Sequence, residues 1–115
     1  MNNQADKRIL SMFGLAARAG RIASGEFQTE MAVKDGTAQL VVVAEDASDN
    51  TKKLFRDKGS FYKVPVITLG TKEELGHAIG KEFRASLAIL DEGFATAIMK
   101  KMNQESLGQG NNGGK

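Results

Sequence analysis

Cysteine is absent from the 115 residues, which excludes disulfides and thiolate metal sites. No apolar run approaches the roughly 20 residues of a membrane-spanning helix. The start, Met1-Asn2-Asn3-Gln4, lacks the basic segment and apolar stretch of a secretory signal. A cytoplasmic protein without a membrane partner is therefore expected. No G-x-x-x-x-G-K-[ST] phosphate loop and no G-x-S-x-G elbow occur. The single histidine, His77, stands beside a glycine with no sequence-evident partner. No catalytic constellation, cofactor or metal is expected.

What is present is ordinary for a globular domain: 41% apolar and 26% charged residues. At this length the chain supports one domain with one core. Sixteen basic residues against fourteen acidic ones leave a net charge of +2, a weak hint of an anionic partner. The arrangement of charge must then matter more than its total.

Asp6 to Ala19 carries Ile9, Leu10, Phe13, Ala16 and Ala17 at helical spacing. Lys7, Arg8 and Arg18 lie off that stripe and, with Arg21, form either a basic patch or a solvated face. Ser24 to Asp35 reads as a second helix, with Ser24 as N-cap and Gly36 just past its end. Its apolar residues occupy more than one side: Phe27 pairs with Met31, and Thr29 with Val33. One side is therefore free to face a partner. Leu40 to Ala44 has the unbroken apolar run of a strand covered on both faces.

Asp46 or Ser48 caps a third helix, Asp49 to Lys58, which Gly59 stops. Val64 to Leu69 is a strand whose Pro65 suits a sheet edge. Thr71-Lys72-Glu73-Glu74 is a capping box opening a short helix that contains Gly76, a position for close packing. Lys81 to Arg84 is a loop, Leu87 to Leu90 a strand, and Asp91 caps a last helix to about Met102. A short fourth strand is placed near Ile22. The alternation predicts a single domain over residues 1–103, a three-layer α/β/α sandwich around a small mixed four-stranded sheet. Residues 104–115, rich in Gly and Asn, are expected to be a disordered tail.

Carboxylate pairs follow two strands, Glu45/Asp46 and Asp91/Glu92, where ligands bind in open α/β sheets. They are candidates for acid–base work, but acidic residues before helices also cap and complement the dipole, which is the simpler reading. The start of the second helix is the other candidate. Gly25 allows close approach, free backbone N–H groups follow, Gln28 can read a base edge and Phe27 can stack.

With these stretches in view, the chain resembles the ribosomal L7Ae/L30e family, in its bacterial YlxQ-type branch. The matching blocks are L-A-A-R-A-G-R-I-A-S-G-E, L-V-V-V-A-E-D-A-S-D-N-T-K-K, V-P-V-I-T-L-G-T-K-E-E-L-G-H-A-I-G-K and D-E-G-F-A. The resemblance implies a non-enzymatic, monomeric RNA-binding module for rRNA or mRNA kink-turns, with ribosome association. Kink-turns are bent elements with tandem sheared G·A pairs. It implies that Gly25, Glu26, Phe27, Gln28 and Met31 enter the RNA groove. It implies that Phe83, Arg84, Ala85 and Ser86 cover an extruded base, and that Lys34 and Lys72 meet phosphates. Phe27, Glu30 and Met31 depart from the residues usual in that family. The alternative is a protein-interaction module of the same fold, with Phe27 and Met31 as its apolar contact.

Overall fold

The computed structural model describes residues 7–110, with side chains for residues 7–103. The elements are α1 (Lys7–Arg18), β1 (Ile22–Ser24), α2 (Glu26–Lys34), β2 (Leu40–Val43), α3 (Asp49–Tyr62), β3 (Val66–Thr68), α4 (Lys72–Ala78), β4 (Ser86–Ile89) and α5 (Glu92–Gly110). The strands form one mixed sheet in the order β1-β4-β2-β3. β4 runs antiparallel to both neighbours, placing Leu87 opposite Ser24 and Val42, while β2 and β3 are parallel. Every residue of β2 and β4 is buried, as central strands covered on both faces must be. Helices α1, α4 and α5 pack together as one group and α2 with α3 as another, completing the α/β/α sandwich.

The core follows the sequence stripes. Ile9, Phe13 and Ala16 of α1, Val33 of α2, Phe55 of α3, Leu75 of α4 and Ile98 of α5 close on the sheet. Full burial of a phenylalanine such as Phe13 or Phe55 contributes roughly 1.5–3 kcal/mol. Pro65 lies exposed immediately before the edge strand β3, where its missing N–H leaves no ladder bond unmade. Thr71 and Glu74 form the expected capping box at the start of α4.

Four boundaries differ from the sequence reading. Ser24 does not cap α2; the N-cap is Gly25, at φ +90° and ψ 159°, and Ser24 belongs to β1. Gly59 does not stop α3. A side chain there would collide with Val66 and the Val64 carbonyl, so this glycine lets β3 approach the helix, which ends at Lys63 in the left-handed conformation. Ser86 opens β4 opposite Val43 rather than closing the preceding loop. Finally, α5 runs to Gly110, so residues 104–110, expected as tail, are helical. No proline interrupts that stretch and glycine first recurs at Gly108, so nothing in the chain before that point breaks the helix. Residues 111–115 lie outside the described residues.

Candidate nucleic-acid interface

The start of α2 is fixed by the strand beside it. The Gly25 N–H donates to the Ser86 carbonyl at 2.9 Å, and the first intrahelical bond runs from Thr29 N to Gly25 O, also 2.9 Å. The N–H groups of Glu26, Phe27 and Gln28 precede that bond and have no partner within the helix. Gly25 supplies no side chain to cap them. Its backbone lies in a region open essentially to glycine alone, and a Cβ there would meet nothing within 4 Å. The helix therefore begins with open donors under a clear approach.

Across from this start lies the loop between α4 and β4. Gly76 of α4 has no room for a side chain, because a Cβ would overlap the Glu82 carbonyl. The loop rests on that glycine, with Lys81 N donating to Gly76 O at 2.8 Å. Arg84 N then donates to the Lys72 carbonyl at 3.0 Å. The Arg84 guanidinium donates through Nε to Ser24 Oγ at 3.2 Å and through Nη1 to the Phe83 carbonyl at 2.8 Å. These bonds occupy two of its five N–H donors. One half-buried arginine thus joins β1, the loop and the entrance of α2.

The expected site residues divide into distinct sets. Phe27, Gln28 and Met31 are exposed on one side of α2, lining a shallow groove with Ala23, Leu90, Asp35 and Thr37. Phe27 is 69% exposed and Met31 47%, so the spare side read from the sequence faces outward. Gly25, Arg84 and the backbone of Lys72 come together with Phe83, itself exposed, at the rim. Lys34 sits eight residues beyond Glu26, about 12 Å along the helix. There it pairs with Glu30 at 3.2 Å.

Two expected residues are occupied elsewhere. Ser86 is wholly buried, with its hydroxyl 3.4 Å from that of Thr29, so it cannot cover a base; it is a strand residue inside the fold. The Glu26 carboxylate accepts from the Thr51 hydroxyl at 3.2 Å and ties α2 to α3. Ala85 is half-buried, and its carbonyl accepts from Ala44 N at 2.8 Å. Glu30, a departure that would repel RNA if it faced the groove, instead turns toward α3, with Lys58 at 3.8 Å.

The carboxylate pairs behave as caps. Asp46 accepts from Lys72 N at 2.8 Å, at the start of α4 rather than α3, and Asp91 accepts from Phe94 N at 2.9 Å. Among the described residues no group of three or more His, Cys, Asp or Glu side chains is arranged to hold a metal. No helix among them is long and apolar enough to cross a membrane. Ser24 as the anchor of Arg84 escaped the sequence reading. Sixty positions separate the two residues, and nothing local marks their meeting.

Comparison with known proteins gives a consistent result. The model of the ribosomal protein L7Ae/L30e/S12e/Gadd45 family matches residues 7–99. RNA-binding protein YlxQ of Enterococcus faecium is 41% identical over 95 residues, spanning 83% of this chain and 91% of its own. Its namesake from Bacillus subtilis (strain 168) is 39% identical over 92 residues, spanning 80% and 92%. A solved structure of a protein of unknown function from Bacillus halodurans C superposes with a TM-score of 0.82 at 38% identity. It covers 85% of this chain and 99% of its own.

Proposed function

The chain belongs to the ribosomal protein L7Ae/L30e/S12e/Gadd45 family, and from that premise we propose that it is a non-enzymatic, cytoplasmic RNA-binding protein recognising kink-turn-like structured RNA. Relatives that align over nearly their whole length bear the name RNA-binding protein, which supports the class. The observation that carries the specific reading is the Ser24–Arg84 bond beside the glycine start of α2. It supports a cation beside open backbone donors, with Gln28 exposed in the first turn of the same helix. The kink of the RNA opens the groove that a regular A-form helix keeps too narrow for side chains. Gln28 then offers a paired donor and acceptor to a guanine or adenine edge. Phe27 stacks where a charged or amide residue would otherwise hydrogen-bond. The protein works as a monomer on ribosomal or messenger RNA.

Calorimetric titration tests this. A kink-turn RNA is expected to bind at least tenfold tighter than the same RNA with its G·A pairs changed to Watson–Crick pairs. Gln28→Ala and Arg84→Ala are each expected to cost about 1–3 kcal/mol of binding, the scale of one good base contact. Equal affinity for the two RNAs would remove the kink-turn reading. A second reading, a protein-docking surface, is favoured by the exposed Phe27 and Met31. It requires a complex that survives high salt, whereas phosphate-dominated binding weakens steeply.

A further inference from the structure

A second surface, away from the Gly25 entrance, has the composition of a nucleic-acid contact. Near the C-terminal end of α3, Phe61 is 76% exposed and Tyr62 37% exposed. Their rings meet edge to face with centroids 4.8 Å apart. With Leu54, Asp57 and Lys58 they line a groove on the outside of the helix. A lone exposed apolar side chain needs no explanation. Two joined aromatic rings rimming a groove present a sizeable apolar face that the fold does not use.

The helix that carries this face is rich in basic residues. Residues 49–63 hold five basic and two acidic side chains, a surplus of three where the whole chain has a surplus of two. Lys53 is held by Asp57 at 2.7 Å and Lys58 leans toward Glu30 at 3.8 Å. Both pairs lie at the surface or near it, where an ion pair is worth little and exchanges readily for a phosphate. Lys63 follows the aromatic pair directly, while Lys52 and Arg56 lie round the other side of the helix. An aromatic platform flanked by Lys53, Lys58 and Lys63 matches a polyanion with exposed ring faces. In a duplex those faces are already stacked inside the helix, so the matching partner is unpaired.

The placement links this surface to the entrance. α3 lies alongside α2 in the same direction, since Thr51 meets Glu26 and Lys58 meets Glu30. Phe61 is ten residues beyond Thr51, about 15 Å along the helix axis. A strand leaving an RNA held at Gly25 and Arg84 reaches that distance within a short single-stranded run. We propose, resting on the RNA-binding reading above, that Phe61 and Tyr62 form a stacking site for unpaired nucleotides flanking the structured RNA. Lys53, Lys58 and Lys63 hold the phosphates of that flank.

Tyr62 is the only tyrosine and the chain has no tryptophan, so intrinsic fluorescence reports on this site alone. The full chain is titrated with oligouridine of about eight nucleotides, within the usual range for such sites, with correction for absorbance. Quenching of Tyr62 is expected, persisting in Arg84→Ala and weakening about tenfold or more in Phe61→Ala, the weight of a stacked base. Phe61 is largely exposed, so its removal is expected to leave the circular dichroism spectrum unchanged. In a second arm, a kink-turn RNA with an unpaired tail is expected to bind about tenfold tighter than the tail-less RNA, and Phe61→Ala to abolish only that gain. No quenching by oligouridine, or quenching unaffected by Phe61→Ala, would overturn the proposal. So would a dimer in light scattering that Phe61→Ala disperses, since the face would then belong to a second copy. A tail-less RNA that fails to bind while oligouridine still quenches counts against the kink-turn reading and leaves this site standing.

Discussion

Gly25 serves two ends with one missing side chain. Its φ of +90° lets β1 turn directly into α2, and the open space over its Cα admits another backbone. Gly25→Ala places a Cβ in that space and a strained residue at the turn. The substitution is expected to destabilise the fold by about 1–3 kcal/mol. It is expected to weaken RNA binding by more than the loss of folded protein accounts for. Thermal melting and titration of the folded fraction check the two effects separately. At this scale the sequence was informative about exposure and silent about partners. The doubled apolar pattern of α2 marked one side as spare without saying which; the fold leaves the Phe27 and Met31 side outside. The pattern could not show that Glu26 and Glu30 both turn toward α3, because Thr51 and Lys58 come from a distant part of the chain. Ser86 was assigned to the base-covering loop by the family resemblance alone; the pairing with Val43 and the contact with Thr29 draw it inside.

Among the elements, α4 and the loop after it form a bracket that presents Arg84. The capping box fixes the start of α4, the Asp46 carboxylate holds its first turn, and Gly76 gives the loop a flat seat. Gly76→Ala forces Glu82 off that seat. It is expected to cost about 1–3 kcal/mol by overpacking and to weaken RNA binding through the displaced Arg84, read by melting and titration. The glycine inside α4 was legible as a close contact. Gly59, inside α3, was read as a stop, because composition alone does not separate a glycine that ends a helix from one that a neighbouring strand presses upon. The turn from α2 to β2 provides a pH test. The Thr37 hydroxyl and then its amide donate to the Asp35 carboxylate, at 2.7 and 3.0 Å, and hold its pKa below the usual carboxylate range. A depressed value in the folded state means the ionised form stabilises the turn above the ordinary carboxylate pKa. That contribution is lost as pH falls through the lowered value. An NMR titration of Asp35 is expected to show this low midpoint, and Thr37→Val to raise it.

For the whole molecule, a net charge of +2 conceals an uneven surface. The α2–α3 side bears the Gly25 entrance and the basic length of α3, while acidic caps lie at the starts of α4 and α5. The sandwich was readable from alternating helical stripes and apolar runs, and the edge position of Pro65 from its missing backbone donor; the strand directions came only with the pairing. The readable features are local ones. The bracket around Arg84 was not readable, since it depends on residues brought together only by the closed fold. The central claim is that RNA is held where that bracket meets the start of α2. The most direct measurement is an amide NMR map of the full chain on addition of kink-turn RNA. The largest shifts are expected at residues 25–28 and 83–85, with α1 and α5 spared. Shifts concentrated instead on the groove between α1 and α4, around Lys7, Arg18 and His77, would contradict it.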